Sequence, residues 1–367
     1  MSETKMLDLQ RYDTDSLHLD GPVASVLLLG GLGPLSEETA LPENEVAIAF
    51  AEQDVRCLAL KSDVSSAGGK AAAAWAKDTG MTVLSLAGME GGALEETRDL
   101  LGGTVTLGAG KTEAEAFRPY VRNINGVRIG MLAVSEQQIG VFGGRADILH
   151  PMVCDRVHML LTQCDHVIVL CHAGLAGTNL PLPEWRGWYR RLVDAGASIV
   201  AVASPGAVSG WEEYKNGLIF YGLGTLLEDC ESSGCHSLGV FLTLRQNGRY
   251  EYQVRAMERE NARIRFSGET TWKEELNELN ALFLDSSAYL ARVGDLCRST
   301  YEAWQKESCP RASLGRGLLG ALLPQTSANA RREDEDHLYS LLSSESVRFA
   351  VLRAIADKKA KESGDGV

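Results

Sequence analysis

The feature that most constrains the fold is a succession of short, nearly unbroken apolar runs, each closed by glycine, serine, histidine or a turn. ASVLLLG (24–30), VRCLAL (55–60), TVLSLAG (82–88), GTVTLG (103–108), VRIGMLAV (127–134), HVIVLCH (166–172), SIVAVAS (198–204) and LIFYGLG (218–224) are rich in Val, Ile and Leu and short enough for strands. A strand with one wet face alternates apolar and polar residues. These do not, so they predict strands covered on both faces. Helix-like segments separate them at 69–78, 94–101, 113–117, 152–164 and 183–195, which makes the fold class a layered α/β core. Asn125-Gly126 and Asn247-Gly248 each separate a pair of strand-like runs, and the Asn-Gly pair suits type I′ hairpin turns. Some of the sheet is therefore antiparallel.

Three segments follow from the patterning: a polar N-terminal tail (1–22), the α/β domain (23–260) and a helical C-terminal extension (261–367) with a linker at about 308–333. In the extension Thr271-x-x-Glu274 reads as a capping box. Leu276, Leu279, Phe283, Leu290, Val293, Cys297, Tyr301 and Trp304 then recur at helical spacing, which predicts one long amphipathic helix over 271–306. Its apolar face either docks on the core or makes a contact with another protein, including a homodimer. A last amphipathic helix is expected from about Asp334 to Lys359.

The formal charge of −13 disfavours binding to nucleic-acid backbones. The first twenty residues lack a basic region followed by an apolar one, and no apolar run approaches the ~20 residues of a transmembrane helix, so a cytoplasmic or peripherally membrane-associated location is expected. Eight scattered cysteines read as free, mostly buried thiols, and Cys230-x4-Cys235-His236 lacks a second ligand pair for zinc. Gly110-Lys111-Thr112 has the end of a phosphate-binding loop, but Val105 stands where that motif needs its first glycine. His172 ends a strand, the place where ligand-binding groups gather in α/β sheets.

Taken in order, these segments resemble the CapA family of poly-gamma-glutamate capsule biosynthesis proteins. The resemblance rests on DHVIVLCHAG (165–174), Leu192-Val193-Asp194-Ala195-Gly196-Ala197, Glu212-x-Tyr214 with Gly217-Leu218-Ile219-Phe220-Tyr221, and TVLSLAGMEGG (82–92). It covers about 23–257 and implies a calcineurin-like metallophosphatase architecture, a mixed-sheet sandwich in four layers with flanking helices. It also implies a role in capsule or surface polymer synthesis beside other assembly proteins. The departures fall on the family's ligand positions. Its Gly-Asp is Gly30-Gly31 here, Asn-Leu-Glu is Lys61-Ser62-Asp63, Asn-Asn-His is Gly88-Met89-Glu90, Gly-His-His-Pro-His is Val202-Ala203-Ser204-Pro205-Gly206, and Ser-Leu-Gly-Asn is Gly222-Leu223-Gly224-Thr225. Only His172 stands unchanged.

Two functional expectations follow. The first is a non-catalytic binding or scaffold protein without cofactor, in which Lys61 replaces the metal's charge by pairing with Asp63 or Glu90, and Ser204, Thr225 and Asn179 contact a ligand at the cleft mouth. The second is a metal-dependent hydrolase of a phosphoester or amide-linked polymer, using one Mn, Zn or Mg ion on Asp63, Glu90 and His172. Trp185 and Trp188 lie on the helix after His172, and Arg186, Arg190 and Arg191 form a basic triplet able to receive an anionic polymer.

Overall fold

The computed structural model describes residues 10–11, 21–36, 40–89, 92–136, 144–204, 206–228, 236–260, 263–308, 339 and 343–363. From the N-terminus the chain forms β1 (Gln10–Arg11), β2 (Val23–Leu32), β3 (Leu41–Pro42), α1 (Asn44–Ala51), β4 (Val55–Leu60), α2 (Ala67–Asp78), β5 (Val83–Ser85), α3 (Leu94–Leu101), β6 (Val105–Leu107) and α4 (Glu113–Ala116). It continues through β7 (Tyr120–Ile124), β8 (Val127–Ser135), α5 (Met152–Leu161), β9 (His166–His172), α6 (Pro183–Asp194), β10 (Ile199–Ser204), β11 (Trp211–Tyr214) and β12 (Gly217–Phe220). The remaining elements are β13 (Thr225–Leu227), β14 (His236–Arg245), β15 (Tyr250–Glu260), β16 (Arg263–Phe266), α7 (Glu269–Leu284), α8 (Ser286–Ser308) and α9 (Glu345–Ser363).

Two mixed sheets result. One runs β3-β16-β15-β14-β2-β4-β5-β6, with β13 also on β2 and β1 on β15; the other runs β11-β12-β10-β9-β8-β7. Alternation along β2 explains why its sequence is apolar throughout. Val26 and Leu28 face the second sheet and share a core with Cys57, Val83, Met131, Ile168, Ile199 and Phe220. Leu27 and Leu29 face outward and pack with Val46 and Phe50 of α1 and with Ala72, Ala73 and Trp75 of α2. The same residues thus build an inter-sheet core and a helix-on-sheet core, as expected of strands covered on both faces.

The hairpins divide. Asn125 and Gly126 both take positive φ (50° and 92°), the type I′ geometry expected between β7 and β8. At the β14–β15 turn Gly248 has φ 77° and Asn247 does not share the positive value. The Gly248 amide donates to the Arg245 carbonyl and the Arg245 amide to that of Arg249, so this is a longer loop with a glycine bulge. The tail expected over 1–22 contributes a short strand, since Gln10 and Arg11 pair with Gln253 and Tyr252.

The expected boundary at 260 moves. The contacts divide the chain into one unit of Met1–Ser135 with Gly143–Leu284 and a second of Glu136–Phe142 with Asp285–Val367. α7 belongs to the first because it docks on β11. The Asn280 side-chain oxygen accepts the buried Trp211 amide at 2.8 Å, Leu276 and Phe283 are buried, and Phe283 lies against Tyr221 with ring centres 4.6 Å apart. The single helix expected over 271–306 is two. Asp285 interrupts it, its Oδ1 accepting from the amides of Ser287 and Ala288, a side-chain cap that starts α8 afresh. The capping box is displaced as well, because α7 begins at Glu269, before Thr271. In the second unit α8 packs on α9, burying Tyr289, Val293 and Cys297 with Ala350 and Val351. Asp334, Leu338, Leu341 and Leu342 of the expected last helix, and the linker, lie outside the described residues.

Cys57, Cys154, Cys164, Cys171 and Cys297 are free thiols, and burial pushes those of Cys57 and Cys171 far up, away from reactivity. Cys230 and Cys235 lie outside the described residues. Among the described residues no helix is long and apolar enough to cross a membrane.

Replacing Asn280 by alanine strips the Trp211 amide of its acceptor in a buried setting. We expect a loss of about 1–3 kcal/mol, read by chemical denaturation.

Candidate functional site

The cleft lies where the parallel strands of both sheets end. Gly31 lies near the end of β2, Lys61 follows β4, Gly88 follows β5, Ser135 ends β8, His172 ends β9, Ser204 ends β10 and Thr225 opens β13 beside Gly31. Strand interiors are covered on both faces, so these ends are where polar side chains meet a gap.

Lys61 occupies it. Its ammonium donates to Thr225 Oγ1 at 2.9 Å and to Glu228 Oε2 at 3.1 Å, and the Thr225 hydroxyl passes the chain on to the Gly206 carbonyl at 3.2 Å. The lysine stem lies close against Gly31. A side chain at Gly31 would place its Cβ 2.4 Å from Lys61 Cε, and one at Gly206 would come 3.7 Å from Nζ. Gly206 also has φ 92°, a backbone that other residues adopt at a cost. With a side chain 18% exposed, the ammonium has exchanged much of its water for a carboxylate and a hydroxyl. Lys61 therefore does enter the cleft, but its partners are Glu228 and Thr225 rather than Asp63 or Glu90.

Asp63 is committed elsewhere. Its Oδ1 accepts from the Ser65 amide at 3.0 Å and from the Ser65 hydroxyl, and its Oδ2 accepts the Ala93 amide at 2.7 Å. Burial raises its carboxyl, but the Ser65 hydroxyl and the amides of Ala93 and Ser65 outweigh it and hold the group below its ordinary range. Asp63 thus ties the start of α2 to the loop before α3. Glu90 lies outside the described residues.

His172 lies against the facing sheet. A Cβ at Gly88 would fall 2.0 Å from its Cγ, so glycine there is what admits the ring. Burial, then the charges of Lys61 and Arg145, push the imidazole down to about 4. It is neutral at pH 7. The unfolded chain binds the proton near 6.5, so the folded state loses stability as pH falls from 6.5 toward about 4 and keeps it above that window.

The remaining expected contacts separate. Thr225 lies in the cleft as Lys61's partner. Ser204 is in register with His172 across β10 and β9. Asn179 offers its backbone carbonyl to the Ser209 hydroxyl at 2.6 Å. Trp185 is fully buried and stacks on Tyr189, a core role, while Trp188 carries the Arg191 guanidinium on its face. The basic triplet is not an open patch. Arg186 pairs with Glu212 at 3.1 Å and donates to the Phe283 carbonyl, and Arg190 pairs with the same carboxylate, which also accepts the Tyr221 hydroxyl. Glu228, Arg145 and Ser135 carry no motif that singles them out in the sequence. Ser135 and Glu228 share one mark, a position at or just after the end of a strand of the cleft.

A two-metal hydrolase needs several Asp, His and Asn ligands around ions roughly 3.5–4 Å apart. Among the described residues no three of His, Cys, Asp and Glu come together. Asp63 is turned to its loop and an ammonium stands in the cleft, so the described residues do not fit such a centre.

Two facing mixed sheets, helices outside them and polar groups at the strand ends define a layered α/β sandwich. Residues 59–230 match the family model of bacterial capsule synthesis protein PGA_cap. It is 28% identical over 170 residues to capsule biosynthesis protein CapA of Bacillus anthracis, a match covering 42% of this chain and 41% of that protein. The match thus spans about two fifths of the length of that relative. Among solved structures it is similar to a novel phosphatase from Mycoplasma pneumoniae (TM-score 0.46, 10% identity, 65% of this chain and 93% of that one). It is also similar to a hypothetical protein from Thermus thermophilus (TM-score 0.45, 11% identity, 64% of this chain and 100% of that one).

Two measurements check the site. Lys61→Met removes a positive charge that disfavours protonation of His172, so the imidazole titration followed by NMR should move up from about 4 toward 6.5. Asp63→Ala leaves the Ala93 and Ser65 amides without their acceptor and should cost about 1–3 kcal/mol in denaturant unfolding.

Proposed function

We propose that this chain is a CapA-like protein that assists the synthesis or handling of a capsule or surface polymer by binding, without two-metal catalysis and without a cofactor. The match of residues 59–230 to the capsule synthesis family supports the polymer context. The observation that carries the non-catalytic reading is the Lys61 ammonium, seated beside Gly31 and Gly206 and held by Thr225 and Glu228. An ammonium repels a divalent ion at close range, and a glycine at position 31 offers no carboxylate to offset that repulsion. Asp63 holds the loop at Ala93 with the oxygens a metal would need. The partners of such a protein are the polymer, or a precursor of it, and the other proteins of its assembly.

Purified chain should retain less than one Mn, Zn or Mg ion per molecule after dialysis, by elemental analysis. It should not turn over generic phosphoesters or poly-glutamate with any of the three added. One tightly held ion per chain together with turnover abolished by His172→Ala would refute the proposal.

A further inference from the structure

We propose that the strand-end cleft is a metal-free oxyanion site, in which a carboxylate or phosphate group is held by the Lys61 ammonium with the Ser135 hydroxyl and the His172 imidazole as further donors. The inference rests on the binding reading above and names the chemistry that would be bound.

Three observations carry it. The first is the unspent capacity of Lys61. An ammonium has three donors, and the hydrogen bonds to Thr225 and Glu228 use two of them. Glu228 is 37% exposed, so it holds the ammonium from the solvent side of the cleft and leaves the cation accessible. The second is Ser135. Ser135 is 1% exposed, yet its hydroxyl has no hydrogen-bond partner among the described residues. Buried hydroxyls are normally satisfied, and an orphan of this kind calls for a ligand oxygen or a water. The third is register. Ser135 and His172 are paired across β8 and β9, so their side chains share one sheet face, and His172 on that face meets Gly88 of the opposite sheet. Ser135 therefore shares with His172 the sheet face turned toward Gly88 of the opposite sheet.

The charges agree. Lys61 and Arg145 both act on His172, which puts two cations around the gap; Glu228 is the carboxylate paired with Lys61, and the Asp63 carboxylate is spent on Ser65 and Ala93. In a chain of net charge −13 such a place is needed before any anion can dwell. Arg186 and Arg190 of the basic triplet are already committed to the Glu212 carboxylate, and Arg191 lies over the Trp188 ring. One accessible ammonium with one or two neutral donors fits a single oxyanion group, such as a side-chain or terminal carboxylate of a polymer or a phosphate of a precursor.

The test is calorimetric titration of the full chain at low salt with two probes, inorganic phosphate and glutarate. Heteronuclear NMR follows the His172 ring in parallel. We expect saturable one-to-one binding of at least one probe, with a shift of the His172 signals. Loss of a charge-assisted hydrogen bond should weaken binding about tenfold or more in Lys61→Met, and Ser135→Ala should weaken it several-fold. Circular dichroism and melting curves establish that both variants fold. Binding of phosphate alone identifies a phosphoryl-bearing ligand and binding of glutarate alone a carboxylate-bearing one; either supports the site. Absence of saturable binding to wild-type protein, or undiminished affinity in folded Lys61→Met, overturns it. The outcome is separable from the functional reading, because metal-dependent turnover would sink that reading whether or not the anions bind.

Discussion

Everything in the first unit depends on one constraint, the burial of both faces of its central strands. β2, β4 and β5 lie between an inter-sheet core and a helix layer, so each residue along them fills one core or the other. A polar group within such a strand must find a partner, as the Ser25 hydroxyl does in Asp54, or be left unsatisfied. Chemistry is therefore confined to the residues where the strands stop, and the two sheets bring those ends together at Gly31, Lys61, Gly88, Ser135, His172 and Thr225. The same constraint makes the strand ends sensitive to volume, because a side chain added on one sheet must be matched by space on the other.

The glycines at 31, 88 and 206 show this balance. The resembling family places Asp, Asn and His at these positions, and here a Cβ at the first two would collide with Lys61 or with the His172 ring. Gly31 beside the lysine stem and Gly88 beside the imidazole are thus parts of a single packing solution. The charge balance follows the same logic. One carboxylate, Glu228, and one hydroxyl, Thr225, hold the Lys61 ammonium, and Asp63 ties α2 to the loop before α3.

Much of the fold was legible in the sequence because two-face burial writes itself as unbroken apolar runs, and the β7–β8 turn because Asn125-Gly126 suits a geometry few other pairs adopt. The break at Asp285 was not legible. Apolar spacing from Leu276 to Trp304 continues through it, and only the side chain of Asp285, turned back onto the amides of Ser287 and Ala288, tells one helix from two. The cleft was only partly readable. That Lys61 and His172 both stand at strand ends was readable from the apolar runs before them, whereas the choice of Glu228 over Asp63 as Lys61's partner depends on β13 lying against β2, a parallel pairing with no local sequence mark. The basic triplet misled for the same reason. Arg186 and Arg190 lie one helical turn apart and look like an open face, and the Glu212 that neutralises them comes from a strand beyond β10.

That neutralisation bears on how the molecule meets an anion. Glu212 gathers Arg186, Arg190 and the Tyr221 hydroxyl, and through Phe283 the same cluster fastens α7 to the sandwich. These cations are structural, since removing one leaves a largely buried carboxylate short of a partner, a costly state. Lys61 is the contrasting case. Its pairing with a partly exposed carboxylate costs little to rearrange, and so of the two cationic clusters it is the one able to exchange a protein partner for a ligand without loss of the fold.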